Sequence, residues 1–231
     1  MNLLLESILS VLYPPLCPCC GTVMVRGEGP MCLACRLKLP ETDFHLSPSR
    51  NDLMDKLQGL VPVEGAVAYF RYRRNSPQAR LIHDMKYRGC PDTGRRLARE
   101  YAQRLLRAGF FDGMDAITPV PLNFWRHCRR GYNQSAHIAL GLADVSGLPV
   151  INALSARPHN SQTRLDAAAR STATRGIYRA KPGALHGLNH LLLVDDICTT
   201  GATLHACLEA LHGAAPTMKL SVAVLATTSL V

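Results

Sequence analysis

The sequence predicts an α/β fold, in which an open and mostly parallel sheet carries flanking helices and follows a small four-cysteine unit. Strand-like apolar runs alternate with amphipathic helix-like segments from residue 61 onward, which is typical of a parallel sheet covered by helices on both faces. The run Leu191–Val194 is continuously apolar, as in strands that are buried on both faces. Two Cys-x-x-Cys pairs lie between residues 17 and 35.

The length and charge of the chain limit the classes of protein to consider. A chain of 231 residues can form one large domain or a medium domain with a small one, and we predict units at 1–60 and 61–231. Hydrophobic residues make up 47% and charged residues 19%, a globular balance. The net charge of +9 comes from 26 Lys+Arg against 17 Asp+Glu. This excess favours nucleic acid or phosphorylated small molecules as partners, although a basic surface often serves only solubility.

The N-terminal segment and the hydropathy pattern predict a cytoplasmic protein without a membrane span. No stretch of the sequence reaches the roughly 18 apolar residues that a span requires. Asn2–Leu12 is apolar, but it lacks a basic region, contains Glu6 and leads into Pro14-Pro15. We therefore interpret it as a short amphipathic helix that packs on this protein or on a partner, and not as a signal peptide.

The N-terminal cysteines predict a structural zinc site. Cys17, Cys20, Cys32 and Cys35 form two Cys-x-x-Cys pairs, and residues 17–21 have the Cys-Pro-x-Cys-Gly form of a zinc knuckle. Four thiolates suit a closed tetrahedral site. Cys19 is an additional thiol, and the spacing leaves open whether it replaces Cys20 as a ligand. A disulfide framework is the alternative, which would require an export signal.

The elements of the main unit follow in chain order after a polar connector at 36–60. Ser76 and Pro77 suit the N-cap and first turn of a helix, and Gly147 suits the end of another. The stripe Leu97, Tyr101 and Leu105 marks one helix face. We predict strands at Val61–Tyr72, Ala116–Leu122, Pro149–Leu154, Leu191–Val194 and Lys219–Ala226, and helices at Ser76–Arg88, Asp92–Ala108, Tyr132–Ser146 and Ala202–His212.

An acidic pair and a hydroxyl-rich loop follow the Leu191–Val194 strand. Asp195 and Asp196 come directly after it, and Thr199–Thr203 opens the next helix. Ligands of open α/β sheets bind outside the carboxyl ends of the strands. A glycine-containing loop at a helix N-terminus presents N–H groups that suit a phosphate. Two carboxylates beside it suit Mg²⁺ or a pair of sugar hydroxyls.

The stretch Leu191–Thr203 resembles the signature of the type I phosphoribosyltransferases, which bind 5-phosphoribosyl-1-diphosphate (PRPP). The resemblance implies that Asp195 and Asp196 are catalytic residues that contact the ribose hydroxyls and Mg²⁺. It implies that the 5′-phosphate is bound by Thr199, Thr200, Gly201, Ala202 and Thr203. The loop after the first core strand would hold the pyrophosphate, with assistance from Arg126 or Lys86. The candidate loop residues are Arg129, Arg130, Gly131, Asn133 and Gln134.

Further motifs resemble the ComF/GntX family. They are Met-Lys-Tyr-Arg-Gly at 85–89, Pro-Val-Pro-Leu at 119–122, Arg-Gly-Tyr-Asn-Gln at 130–134 and the acidic pair with its loop, behind the four cysteines. The resemblance covers almost the whole chain. It implies a zinc ribbon joined to a phosphoribosyltransferase-type domain, a cytosolic location, and a link to natural competence or the use of external DNA.

The segment from Arg157 to Tyr178 corresponds to a mobile stretch in that family. Its composition suits a lid over a phosphorylated ligand, for which we select Arg157, Gln162 and Arg170. Ala173 stands where the family pattern has Asn, so the polar contact from that position is missing here. An ordinary surface loop is the alternative interpretation.

Two functional hypotheses follow from these motifs. In the first, the protein binds PRPP and transfers its phosphoribosyl group to an acceptor with release of pyrophosphate. The sequence identifies neither the acceptor nor a general base. In the second, it is a non-catalytic competence adaptor that binds single-stranded DNA or a helicase and uses the pocket to sense a ligand. The basic stretch from Arg71 to Arg107 suits a nucleic-acid track, although a solvated helix face is the simpler explanation.

Overall fold

The computed structural model describes residues 14–25, 27–59, 61–87, 91–122, 131–157 and 176–229. The predicted helix at Asn2–Leu12 lies outside these ranges. The strands of the described part are β1 (Gly65–Arg71), β2 (Ala116–Pro119), β3 (Leu154–Ala156), β4 (Tyr178–Ala180), β5 (His190–Cys198) and β6 (Lys219–Thr227). Its α-helices are α1 (Leu33–Leu37), α2 (Asp52–Leu57), α3 (Pro77–Tyr87), α4 (Pro91–Arg107), α5 (Gln134–Ser146), α6 (Pro182–Leu185) and α7 (Ala202–Ala214).

The central sheet is parallel, and this confirms the predicted fold class. Its four strands lie in the order β1-β6-β5-β2. Every neighbouring pair is parallel. The central strand β5 is longer than predicted, because its pairing with β6 continues through Asp195–Val224, Ile197–Ala226 and Cys198–Thr227. The acidic pair therefore lies inside a strand, and not in the turn after it.

Alternate side chains of β5 contribute to two apolar cores, one on each face of the sheet. Leu192 and Val194 pack with residues of α4, α5 and the four-cysteine unit. Leu191 and Leu193 pack with residues of α2 and α7. This two-residue alternation is the geometry of a strand, and it explains why the run is apolar without interruption. None of the described helices is long and apolar enough to cross a membrane.

The segment predicted as a polar connector packs against β1. Thr42 N–H donates to Tyr69 O at 2.9 Å. The side-chain amide of Asn51 donates to Ala66 O at 2.9 Å, and its oxygen caps α2. Leu53 and Leu57 of α2 are buried in the core. The connector is thus part of the packed body of the protein, while the division at residue 60 stays a prediction.

The predicted strand at Pro149–Leu154 differs in the structure. Val150 makes one isolated parallel bridge to Ile117 of β2, and regular pairing begins only at Leu154, where β3 runs antiparallel to β4. The strand at Tyr178–Ala180 was not predicted, because a three-residue strand is too short to show a period. The other predicted elements differ from the observed ones mainly at their ends.

Four arginines of the predicted basic stretch form ion pairs with described residues of the protein. Arg95 contacts both carboxylate oxygens of Asp144 at 2.8 and 2.7 Å. Arg99 lies 3.7 Å from the same carboxylate. Asp144 belongs to α5, so these pairs connect α4 to α5. Arg71 pairs with Asp52 at 2.6 Å. These arginines therefore stabilise contacts within the protein, which supports the simpler explanation of the basic stretch over a nucleic-acid track.

The contact between α4 and α5 requires a glycine. A Cβ added at Gly141 would lie 2.7 Å from the Cβ of Ala98 and would clash with the backbone oxygen of Arg95. The two helix backbones therefore approach each other more closely than any larger residue permits.

We predict that Gly141→Ala destabilises the protein by about 1–3 kcal/mol, because overpacking forces the helices apart. Gly213→Ala in α7 is the matched control, since a Cβ there meets nothing within 4 Å. It should be neutral or stabilising by up to about 1 kcal/mol, because alanine favours the helix. Urea unfolding of both variants measures the difference. Equal stabilities for the two variants would contradict this packing.

Candidate functional site

The four predicted cysteines form one cluster. The sulfur atoms of Cys17, Cys20, Cys32 and Cys35 all lie within 4.8 Å of one another. Four sulfurs bound tetrahedrally to zinc at 2.3 Å are about 3.8 Å apart, and Cys20 Sγ lies 3.7 Å from Cys32 Sγ. The donor set and its spacing are consistent with structural zinc. The geometry groups Cys20 with the other three, and the buried Cys19 is not one of the four.

A turn at residues 17–21 presents the first pair of sulfurs. Gly21 N–H donates to Cys17 O at 2.8 Å, and the φ of Gly21 is +77°, a conformation that favours glycine. Cys32 N–H donates to Cys17 Sγ at 3.4 Å, which brings the second pair close. The buried cysteines of the unit belong to the same apolar core as Leu81 and Ile82 of α3, so the unit contributes to one face of the fold.

A second site lies at the carboxyl ends of β5 and β2. A cavity of about 260 Å³ opens there. Its lining includes six of the predicted ligand-binding residues, namely Lys86, Gln134, Asp195, Asp196, Thr199 and Thr203. Val120, Ser135 and Tyr178 also line it. Residues from five separate parts of the sequence thus meet at the edge of the sheet where α/β proteins bind ligands.

Asp195 is buried and held by two donors. Ser135 Oγ donates to Asp195 Oδ1 at 2.8 Å, and Asp196 N–H donates to the same oxygen at 2.8 Å. Burial, together with the charge of Asp196, raises the pKa of Asp195 to about 7, although these hydrogen bonds and Lys86 oppose the shift. Asp195 is therefore partly protonated near neutral pH.

Asp196 has a direct counter-charge. Lys86 Nζ lies 3.0 Å from Asp196 Oδ2, and both side chains are largely buried. Lys86 was predicted to bind pyrophosphate, and in this structure its ammonium group forms an ion pair with Asp196. Its helix α3 is held in place by Tyr132, whose hydroxyl donates to Met85 O.

The loop at 199–203 has the features of a phosphate-binding loop. Thr199 and Thr200 are exposed. Gly201 has a φ of +80° and precedes the first turn of α7, and no side chain caps this helix. The first N–H groups of a helix have no partner within the helix, so they can bind an anion. The five loop residues also line a cleft of about 40 Å³ beside the main cavity.

The loop before α5 is only partly described. Gly131 has a φ of +77°, in agreement with a tight turn. Asn133 caps α5 by accepting from Ser135 N–H at 3.1 Å, and its amide donates to Val120 O at 3.0 Å. Its contacts therefore position the loop. The predicted residues Arg126, Arg129 and Arg130 lie outside the described residues.

The predicted lid is described only at its two ends. Arg157 is exposed, and its N–H donates to Ile177 O at 2.9 Å. Tyr178 lies on the opposite strand and lines the cavity. Gln162, Arg170 and Ala173 lie outside the described residues. The lid stays a prediction.

Sequence reasoning assigned no role to Ser135 or Tyr178. A signal for Ser135 was available, because it follows the N-cap at Asn133 and therefore lies in the first turn of α5, next to the acidic pair. No local pattern predicted that Tyr178 lines the cavity, since its position depends on the pairing of β4 with β3.

Comparisons with known proteins find relatives that are named for competence and DNA utilization. No family model matches it. It is 32% identical over 133 residues to "DNA utilization protein YhgH" of Salmonella typhi, an alignment that covers 55% of this chain and 58% of that protein. It is 23% identical over 197 residues to "Competence protein ComFC" of Bacillus subtilis, with 79% and 78% covered. The chain thus spans little more than half the length of the first of these relatives.

Among solved structures, the chain is similar to the glutamine phosphoribosylpyrophosphate amidotransferase from B. subtilis, complexed with ADP and GMP. That match has 18% identity and a TM-score of 0.40, and it covers 58% of this chain and 26% of the other.

The fold and the two sites define a class, an α/β protein with a parallel sheet, a polar cavity at its carboxyl edge and a four-cysteine unit. Within that class, the chain is a homologue of the YhgH and ComFC proteins. The resemblance to the ComF/GntX family is therefore confirmed.

The raised pKa of Asp195 makes stability depend on pH. In the unfolded chain this carboxyl group ionises near 3.8, whereas in the folded protein it ionises near 7. Between these values the folded state binds more protons than the unfolded state, so the contribution of Asp195 to stability falls as the pH rises. We predict that Asp195→Asn is more stable than the wild type at pH 8, by on the order of a few kcal/mol.

The advantage of Asp195→Asn should shrink as the pH is lowered from about 7 to about 4. Urea unfolding of both proteins at several pH values in this range measures it. Asparagine keeps an oxygen that accepts from Ser135 and from the Asp196 N–H, so the packing is retained. A stability difference that does not change with pH would contradict the burial of an ionisable pair.

Proposed function

We propose that the cavity at the carboxyl ends of β5 and β2 binds PRPP. One observation carries the proposal: the acidic pair Asp195 and Asp196 lines the same cavity as Thr199 and Thr203 of the helix-opening loop. A phosphorylated sugar requires both features, because its phosphate needs N–H donors and its hydroxyls need acceptors. The resemblance of Leu191–Thr203 to the phosphoribosyltransferase signature favours PRPP among phosphorylated sugars, because PRPP carries a diphosphate at its anomeric carbon.

Each group in the cavity would have a distinct role. The loop at 199–203 would bind the 5′-phosphate, and the carboxylates of Asp195 and Asp196 would accept from the ribose hydroxyls. Mg²⁺ bound with PRPP would supply charge neutralisation on the diphosphate. Binding would require Asp196 to exchange its contact with Lys86 for a contact with the ligand. The freed Lys86 ammonium would then be available to the departing pyrophosphate.

Transfer would break the bond between the anomeric carbon and the pyrophosphate oxygen, and the pyrophosphate would leave with the electron pair. An acceptor nucleophile would form the new bond to the same carbon. The residues of the cavity would contribute by orientation and by neutralising the leaving group. No described residue of the cavity has the position of a general base for the acceptor. The proposal is therefore first that the cavity binds PRPP, and second that bound PRPP reacts with an acceptor.

Isothermal titration with PRPP and Mg²⁺ tests the proposal. We expect binding by the wild type and a loss of at least about tenfold in affinity for Asp195→Asn with Asp196→Asn. Binding should also strengthen as the pH rises through about 7, because Asp195 must ionise.

Asp115→Asn is the matched control, since Asp115 lies before β2 and accepts from Asn189 and His190 at the opposite end of β5. This variant should bind PRPP like the wild type. A folded wild-type protein that binds no PRPP would reject the proposal.

A second candidate function, binding of single-stranded DNA, is favoured by a basic groove beside the four-cysteine unit. The groove has a volume of about 730 Å³, and Tyr72, Arg74, Arg80 and His83 line it beside Cys20. Arg80 and His83 also line an adjoining groove of about 1030 Å³, together with Arg96. Arg74 and Arg80 have no ion-pair partner among the described residues. An exposed arginine pair with a tyrosine suits a phosphate backbone and a stacked base.

Fluorescence anisotropy with a labelled single-stranded oligonucleotide tests this candidate. Arg74→Glu with Arg80→Glu should weaken binding about tenfold or more and reduce its salt dependence. Arg50→Glu with Arg107→Glu is the control, because it makes the same change of net charge at two exposed arginines that line neither groove. Equal loss in both variants would indicate only a response to net charge and would reject the groove.

A further inference from the structure

We propose that Lys56 and Thr228 position the phosphate loop at 199–203 from behind, so that its N–H groups face a sugar phosphate. Neither residue belongs to the predicted site. Lys56 lies in the last turn of α2 and Thr228 directly follows β6. The inference rests on the proposed function of the cavity, and it adds two positioning residues to it.

The ammonium group of Lys56 is held by hydroxyl and carbonyl oxygens. It donates to Thr228 Oγ1 at 2.8 Å and to Thr227 Oγ1 at 3.3 Å. It also donates to the carbonyl oxygen of Thr228. No described carboxylate forms an ion pair with it. Burial is the main cause of a lowered pKa for Lys56, so this cation is partly desolvated and uncompensated by a contacting anion.

Thr228 transmits this contact to the start of the loop. Its hydroxyl, which accepts from Lys56, donates to Thr199 O at 3.1 Å. Its N–H donates to Cys198 O at 3.1 Å. The carbonyl groups of two successive residues at the loop's start are therefore engaged by one residue behind it.

The backbone of Lys56 contacts the other end of the loop. Its carbonyl oxygen lies 2.9 Å from His205 Nε2, which fits a hydrogen bond in which His205 donates. A Cβ added at Gly201 would lie 3.2 Å from the same oxygen. His205 N–H in turn donates to Gly201 O at 2.8 Å. One residue of α2 thus supports both ends of the phosphate loop.

This arrangement has two consequences for an anionic ligand. A loop whose carbonyl groups are already engaged from behind loses little conformational freedom on binding, and this preorganisation favours affinity. A desolvated cation behind a loop of uncharged residues also adds a positive potential where the phosphate binds. The effect should be confined to the phosphate end of the ligand, because the described contacts of Lys56 and Thr228 reach the phosphate loop and α7 and do not reach Lys86.

Titration calorimetry with ribose 5-phosphate and, separately, with pyrophosphate and Mg²⁺ tests the inference. Lys56→Met and Thr228→Val should each weaken ribose 5-phosphate binding about tenfold, as expected for the loss of one or two hydrogen bonds. Thr228→Ser is the matched control, because it keeps the hydroxyl and should bind like the wild type. Pyrophosphate affinity should be unchanged in all three variants.

The possible outcomes separate this inference from the function on which it rests. A wild type that binds no ribose 5-phosphate overturns the proposed function. A wild type that binds it, with unchanged affinity in Lys56→Met and Thr228→Val, overturns the inference alone. Equal weakening for pyrophosphate and ribose 5-phosphate, with a lowered thermal midpoint, also overturns it, because that pattern indicates a general loss of stability.

Discussion

The structure depends on two adjacent carboxylates that are buried inside a parallel strand. Asp195 and Asp196 lie in the paired part of β5, where two negative charges are costly unless they are compensated. Ser135 and a backbone N–H donate to one carboxylate, and Lys86 pairs with the other. Each compensating side chain comes from a different helix, so the ends of α3 and α5 have to meet at this edge of the sheet.

The residues around this pair connect the elements that form the cavity. Asn133 holds the end of β2 to the start of α5, and Tyr132 holds the end of α3 to the same loop. On the other side, Lys56 and Thr228 connect α2 and β6 to the phosphate loop. The four-cysteine unit lies on the face of α4 and is joined to it by the Arg36–Glu100 ion pair at 2.5 Å.

Local sequence signals were sufficient for the order of the elements and for the acidic pair with its loop, because apolar periodicity and strand-to-helix turns are short-range features. They were insufficient for features that depend on tertiary contacts. The length of β5 depends on its pairing with β6, the burial of the connector depends on β1, and Arg95 is used by Asp144 of a distant helix. The contacts of Lys56 join residues that are 172 positions apart, which no local pattern can predict.

A crystal structure of the protein with ribose 5-phosphate and Mg²⁺ tests the proposed ligand site most directly. We predict that the phosphate contacts the backbone N–H groups at the start of α7, that the sugar hydroxyls contact Asp195 and Asp196, and that Lys86 no longer pairs with Asp196. A sugar phosphate bound only in the groove at Arg74 and Arg80, with the Lys86–Asp196 pair intact, would contradict this prediction.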